Sequence, residues 1–124
     1  MRALLLKPVE RKIREIQIDS YSDIQDALET GFATPITRQI GTDEKYTYTI
    51  YIDDCGLLRT DPVLSAWSGN TDNILVGNLV IMRSDKYGND TDLTDEDINY
   101  IKAHTIDMYD FTTGIHSLVL FPLM

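Results

Sequence analysis

The sequence predicts an α+β domain with a mostly antiparallel sheet of about five to six strands and two helices. Strand-like segments outnumber helical ones, and the two kinds do not alternate regularly, as they would around a parallel sheet. The chain has 124 residues, of which 43% are apolar and 25% charged, as in ordinary globular proteins. This length is typical of one domain, so we treat residues 1–124 as a single domain.

The first two strands are predicted at residues 3–7 and 13–18. The first is a continuous apolar run that Pro8 ends, because proline cannot donate a hydrogen bond to a neighbouring strand. The second places Ile16 and Ile18 on one face. The polar connection between the two strands is short, which favours an antiparallel hairpin.

Two helices are predicted from their start signals. Ser20 is a typical N-cap, Ile24 and Leu28 follow helical spacing, and Gly31 is a typical stop, which indicates a helix over residues 21–30. Thr94 caps a second helix over residues 95–103, whose first turn carries three acidic residues. The positions of Leu93 and Ile98 are those of a hydrophobic staple.

The remaining strands are read from alternation and breaks. Residues 34–40 resemble an edge strand. Residues 46–52 form a clear strand pattern, in which successive side chains alternate between two faces. An acidic turn follows at residues 53–56, after which Leu57 and Leu58 would begin a return strand. Residues 60–73 are expected to be an irregular excursion, and residues 74–82 a strand with a kink at Gly77. The helical pattern frays after Ala103, and residues 115–121 form the last strand.

The last strand allows two interpretations. Residues 118–121 are continuously apolar, so neither face of the strand is suited to solvent. Such a strand must be covered, because an exposed one would aggregate. It is either an interface that builds a homo-oligomer through the C-terminal strand or a central strand buried in the monomer.

The order of these features resembles a known family. The segments that carry the resemblance are Lys7-Pro8, Ile18-Asp19-Ser20, Ile24-Gln25 with Leu28, the acidic turn 53–57, the run 72–81 and the segment 92–96. Together they resemble domain of unknown function family 3846 over residues 1–103, which leaves residues 105–124 as a C-terminal extension. The resemblance implies an origin in a phage or another mobile genetic element. It implies no activity, cofactor or catalytic residue.

Charge and cysteine content restrict the classes of partner. The net charge of −9 argues against binding to nucleic acid or to an anionic membrane. Cys55 is the single cysteine, so no internal disulfide is expected. The apolar run at residues 3–6 is much shorter than a signal-peptide core, which predicts a cytoplasmic protein, in the host cell if the source is a phage.

The charges are unevenly distributed. Residues 1–14 carry five basic residues and one acidic residue, a local charge of +4, whereas residues 84–110 carry eight acidic and two basic residues, a local charge of −6. The second segment is the candidate for an acidic face that binds a basic surface of a host protein, through Asp85, Asp90, Asp92, Asp95, Glu96 and Asp97. A solvated surface explains the same residues without any partner.

We expect no metal and no cofactor, and an enzyme is the less favoured class, because no nucleophile, base and oxyanion motif is recognised. The leading hypothesis is a non-enzymatic accessory or counter-defence protein that binds a host protein. The alternative is a sponge that sequesters a nucleotide signal with Arg38, Arg59 or Arg83 beside Trp67, since arginine suits phosphate and an aromatic ring suits a base. An enzyme of unknown chemistry is the third hypothesis.

Overall fold

A computed structural model describes residues 1–42, 46–58, 62–69 and 74–124. These residues form strands and two α-helices, which in chain order are β1 (Arg2–Lys7), β2 (Lys12–Gln17), α1 (Tyr21–Leu28), β3 (Ala33–Arg38), β4 (Thr47–Asp53), β5 (Leu64–Trp67), β6 (Ile74–Val76), β7 (Leu79–Ser84), β8 (Asp90–Thr91), α2 (Asp95–Ala103), β9 (Thr105–Asp110) and β10 (Ile115–Leu120).

The larger sheet has six strands and is antiparallel throughout. Its order is β2-β1-β7-β4-β3, and the short β8 also pairs with β7. Side chains of β1 alternate between the two faces. Ala3 and Leu5 pack with α1 residues Ile24 and Leu28, whereas Leu4 and Leu6 belong to the core on the opposite face. Both faces of the central strands are therefore buried, which explains their continuous apolar runs.

A second sheet of four strands has the order β6-β5-β10-β9. Its pairs are antiparallel except β5 with β10, which are parallel and in register at Ala66 and Leu120. The chain passes from this sheet into the larger one at Gly77, whose φ of +78° is readily adopted by glycine. The predicted kink at Gly77 is thus the junction between β6 and β7.

The core between the two sheets joins the N-terminal and C-terminal parts of the chain. It contains Leu4 and Ile50 of the larger sheet, Ile101 of α2, and Leu120 and Leu123 from the end of the chain, all of them fully buried. The backbone closes the same region, because Gly41 donates to the carbonyl oxygen of Pro122 at 2.8 Å. Val119, Leu120 and Leu123, near the end of the chain, are therefore packed into the core of this structure.

The structure confirms the α+β class, the antiparallel six-stranded sheet and both helices. Helix α2 has the predicted bounds, whereas α1 ends at Leu28 because Glu29, with a φ of +58°, makes the left-handed stop that was assigned to Gly31. The return strand predicted at Leu57 and Leu58 is wrong, since Gly56–Leu58 is a single 3₁₀ turn.

Two other predictions also need correction, and both concern the second sheet. The excursion predicted at residues 60–73 contains β5, which includes Trp67. The segment after Ala103, where the helical pattern frays, is the complete strand β9. Strand β10 lies between β9 and β5, the position of a central strand in the monomer.

Candidate functional site

The β9–β10 hairpin carries an exposed aromatic cluster. The rings of Tyr109 and Phe111 meet edge to face with centroids 4.8 Å apart, and the ring of His116 lies 4.7 Å from that of Tyr109. Phe111 is 90% exposed at the tip of the hairpin. Large apolar side chains at this level of exposure are typical of contact surfaces when they cluster.

Asp110 shapes the turn that presents this cluster. Its carboxylate accepts the backbone N–H of Thr112 at 2.8 Å and that of Thr113 at 3.4 Å. These hydrogen bonds favour the charged form and hold the pKa of Asp110 below its usual range. The backbone N–H of Gly114 donates to the carbonyl oxygen of Asp110 at 2.7 Å, which closes the turn.

A groove of about 730 Å³ lies beside the hairpin. Its apolar walls come from Val63 and Leu64 on one side and from Met108 and Ile115 on the other. Tyr109 and Asp110 also line it, so the groove is continuous with the aromatic cluster. A concave apolar surface with a few polar groups at its border is the usual form of a binding site.

The six residues of the predicted acidic face do not share one surface. Asp97 is 1% exposed and so does not belong to a face at all. Asp85 lies in the turn between β7 and β8, where its carboxylate accepts the N–H groups of Tyr87 at 2.9 Å and Asn89 at 2.8 Å. Those hydrogen bonds lower the pKa of Asp85. Asp90 is half-buried and accepts the hydroxyl of Tyr51 at 2.6 Å.

The exposed acids that stay together are Asp92, Asp95 and Glu96, near the start of α2. Arg2 partly neutralises them, because its guanidinium lies 2.5 Å from Asp95 and 2.9 Å from Glu15. The hydrogen bond with Arg2 is the main reason that the pKa of Glu15 is lowered. The acidic surface of this segment is consequently smaller than its composition predicts.

The buried Asp97 organises a polar cluster under α2. Its carboxylate accepts the backbone N–H of Thr94 at 2.8 Å, which completes the helix cap, and the hydroxyl of Tyr48 at 2.9 Å. The guanidinium of Arg83 lies 3.4 Å away on the other side. Burial and the hydrogen bond to Asp97 both raise the pKa of Tyr48. These contacts connect α2 with β4 and β7 of the larger sheet.

Arg83 lies in a groove of its own, apart from Trp67. Its guanidinium carbon is 3.6 Å from the centroid of the Tyr46 ring, a cation–π contact, and both residues line a groove of about 520 Å³ together with Lys86, Asp85 and Asp92. Trp67 packs against Phe121 with ring centroids 5.8 Å apart, in the second sheet.

Of the other two candidate arginines, the structure describes Arg38. The Arg38 side chain donates to the neighbouring carbonyl oxygen of Thr37 at 2.8 Å, and Arg38 does not line the groove of Arg83. Arg59 lies outside the described residues. Among the described residues, Tyr46 is the aromatic residue that lies beside Arg83.

The hydrogen bond between Tyr51 and Asp90 gives a testable pH dependence. Burial and this hydrogen bond raise the pKa of Tyr51 to about 12. Because this pKa is higher in the folded state than in the unfolded state, where it is about 10, it stabilises the fold fully at pH values below about 10. This stabilisation is lost as the pH rises from the pKa of the unfolded state to that of the folded state. Between these two pH values we expect the Tm of the wild type to fall more steeply than that of Tyr51→Phe.

The control is Tyr87→Phe, since Tyr87 is 76% exposed and lies in the turn after β7. The Tm of Tyr87→Phe should fall with rising pH at the same slope as that of the wild type. Differential scanning calorimetry across the alkaline range measures all three proteins. Equal slopes for Tyr51→Phe and the wild type would show that neither burial nor the hydrogen bond to Asp90 raises the pKa of Tyr51.

Within the described ranges, no three histidine, cysteine or carboxylate side chains come together in a way that could hold a metal ion. No helix in the same ranges is long and apolar enough to cross a membrane.

The hairpin cluster was not predicted from the sequence. The available signal was the pair Tyr109 and Phe111 on either side of Asp110, close to the break at residues 112–114. Two apolar aromatic residues beside a turn, outside any helical or strand periodicity, are a sign of an exposed contact surface.

The family comparison matches residues 1–106 to a domain of unknown function, DUF3846. The comparisons with curated proteins and with solved structures gave no match. The match covers most of the chain and confirms the resemblance carried by the segments from Lys7-Pro8 to the start of α2, whereas most of the β9–β10 hairpin lies beyond it. The chain belongs to the DUF3846 family of domains of unknown function.

Proposed function

We propose that this protein is a non-enzymatic accessory or counter-defence protein of a mobile genetic element and acts by binding a host protein. The observation that carries the proposal is the aromatic cluster of the β9–β10 hairpin, in which Phe111 is 90% exposed next to a groove of about 730 Å³. Exposed aromatic residues beside a pocket are the usual anchors of protein interfaces.

The surroundings of the cluster favour a basic partner. Asp107 and Asp110 flank it, and both are exposed. Residues 103–124 contain no lysine or arginine. Arg11 pairs with Asp107 at 3.3 Å, so Asp110 contributes most of the negative charge beside the cluster. An apolar centre with a negative border suits a partner surface with an apolar patch surrounded by lysine and arginine, and the overall charge of −9 would accelerate such an encounter.

The exposed acids Asp92, Asp95 and Glu96 form a second candidate surface for the same function. It is small, and Arg2 pairs with Asp95 within it. Rim charges of this kind change association rates more than affinity. We therefore assign the main contact to the hairpin and a steering role to these acids.

Capture from host lysate tests the assignment. Immobilised wild-type protein should retain a host protein, and Phe111→Ser should weaken this binding by at least about tenfold, as expected for an anchor residue. The matched control is Phe32→Ser, because Phe32 is also exposed, at 61%, and lies outside the hairpin. Neutralising Asp92, Asp95 and Glu96 together should reduce binding mainly at low salt.

If the wild type and Phe111→Ser retain the host protein equally and the neutralised variant does not retain it, the contact lies on the acidic segment. If the wild type retains no host protein, the proposed function itself is wrong.

A nucleotide-binding function is the second candidate, and the contact between Arg83 and Tyr46 favours it. An arginine held over an aromatic ring, beside Lys86 in an open groove, offers charge for a phosphate. Asp85 and Asp92 line the same groove and oppose an anion, which ranks this function second. A nucleotide that binds there should raise Tm by mass action, and Lys86→Ala should reduce the increase. If no nucleotide raises Tm, this second function is excluded.

A further inference from the structure

A small cavity between α2 and the start of β4 carries a further inference. Three tyrosines and two acidic residues line it, namely Tyr46, Tyr48, Glu96, Asp97 and Tyr100. Tyr48 and Asp97 are each 1% exposed, whereas Glu96 is exposed, so the cavity opens to solvent beside Glu96. Among the described residues, none of the β9–β10 hairpin lines it, so the cavity is separate from the surface assigned to host-protein binding.

The size of the cavity restricts its occupant. The space open to a water-sized group is about 20 Å³. Roughly 10–15 Å³ of such space is needed to hold one water molecule. The cavity therefore accepts one group of the size of a water molecule or an ammonium group, and the rest of a larger ligand must extend through the opening beside Glu96.

Two of the lining tyrosines have already donated their hydroxyl protons. Tyr48 donates to Oδ1 of Asp97 at 2.9 Å, and Tyr100 donates to the backbone carbonyl oxygen of Ile40 at 2.6 Å. A phenolic hydroxyl has one proton to donate and also accepts hydrogen bonds through its oxygen. In this arrangement both hydroxyl oxygens can only accept from an occupant of the cavity.

The two phenols also lie close to each other. Burial raises the pKa of Tyr48, the hydrogen bond to Asp97 raises it further, and Tyr100 adds to the effect through its own charge. An influence of Tyr100 on Tyr48 requires that the two hydroxyls are near neighbours. One occupant can therefore meet both oxygens.

The charges around the cavity favour a cation. Arg83 lies 3.4 Å from Asp97 and offsets its charge, but Arg83 is not among the lining residues. It lies over the ring of Tyr46 in the adjacent groove. The carboxylate of Glu96 is left as the net negative charge at the cavity, and the aromatic rings around it also attract a cation.

A primary ammonium group suits these walls better than a water molecule does. An ammonium group has only donors, which matches two hydroxyl oxygens that can only accept. A water molecule also brings lone pairs, for which neither of these hydroxyls has a proton left. Hydrogen bonds from a charged donor are roughly twice as strong as those between neutral groups.

We propose that this cavity binds a primary ammonium group, which belongs either to a small free amine or to a lysine side chain whose stem extends past Glu96. The ammonium group donates hydrogen bonds to the hydroxyl oxygens of Tyr48 and Tyr100, and the carboxylate of Glu96 attracts it to the opening. The inference goes beyond the proposed function and does not rest on it.

NMR titration at constant ionic strength is the test, with methylammonium chloride as the probe. The side-chain resonances of Tyr48 and Tyr100 and the amide of Asp97 should shift in a saturable way. Potassium and tetramethylammonium chlorides are the controls, because neither cation has a proton to donate, and both should bind at least about tenfold more weakly. No saturable shift with methylammonium would mean that the cavity holds only water. That result, or equal binding of potassium, would overturn the inference.

A matched pair of variants tests the role of Glu96. Glu96→Gln should weaken methylammonium binding by at least about threefold. Asp95→Asn should not change it, since Asp95 is an exposed acid of the same helical turn but does not line the cavity. Equal weakening in both variants would mean that general surface charge attracts the cation, which would also overturn the inference.

A lysine derivative distinguishes the two sources of the ammonium group. Nα-acetyl-lysine amide carries its charge on the side chain alone. If it binds more tightly than methylammonium, the site recognises a lysine side chain, and if it binds equally or more weakly, the site recognises a free amine. The titrations need no host protein, so they can fail while host-protein capture succeeds, and the reverse also holds.

Discussion

Truncation after Gly114 is expected to unfold the protein. The deletion removes β10, one of the two central strands of the second sheet, together with the side chains of Val119, Leu120 and Leu123, which are all fully buried. Burial of one such side chain stabilises a fold by about 1.5–3 kcal/mol. The loss of these three is comparable with the whole stability of a typical domain, which is about 5–15 kcal/mol.

Circular dichroism and light scattering measure this outcome. The truncated chain should lack a cooperative melting transition. A matched control is deletion of Met124 alone, because this residue is 56% exposed, and this variant should melt like the wild type. A truncated chain that melts cooperatively and only forms a smaller oligomer than the wild type would contradict this prediction. That result would support the interpretation of β10 as an oligomer interface.

Replacement of Asp97 is expected to have the second-largest effect. Asp97→Ala leaves the hydroxyl of Tyr48 and the guanidinium of Arg83 without their acceptor. It also removes the half of the α2 capping box in which the Asp97 carboxylate accepts the N–H of Thr94. Removal of one partner of a buried ion pair typically costs about 3–5 kcal/mol. Because 24% of the Arg83 side chain is exposed and can be hydrated, we expect the free energy of unfolding to fall by about 3 kcal/mol.

The matched control is Asp95→Ala, two residues earlier in the same turn. Its carboxylate also pairs with an arginine but is 85% exposed, so we expect a loss below about 1 kcal/mol. Urea denaturation gives both free energies of unfolding. Equal losses for the two variants would mean that the cluster around Asp97 does not hold α2 in place.

The predictable part of the fold was the part with strong local signals. The start of α2 is encoded by Thr94 and the acids after it, and β4 by the alternation over residues 46–52. Strand β5 escaped prediction because it has four residues, with a bulge between Leu64 and Ala66, and Pro62 and Gly69 flank it. Strand β9 escaped because Asp107 and Asp110 interrupt its apolar positions, as suits an exposed edge.

The candidate site was less predictable, because burial depends on tertiary contacts. Asp95, Glu96 and Asp97 are equivalent in the sequence as acids of a first helical turn, yet Asp97 alone is buried, against Tyr48 of a strand that lies 49 residues away. Trp67 and Arg83 belong to different sheets, and the aromatic ring beside Arg83 is that of Tyr46, which only the tertiary structure shows. The aromatic cluster requires the turn of Asp110, which no periodicity predicts.

Hydrogen–deuterium exchange of the protein alone and in complex with its captured host protein tests the central claim, that the second sheet provides the binding surface. We predict slower exchange over residues 105–117 in the complex and unchanged exchange over residues 85–97. Slower exchange over residues 85–97 with unchanged residues 105–117 would contradict the claim and assign binding to the acidic segment.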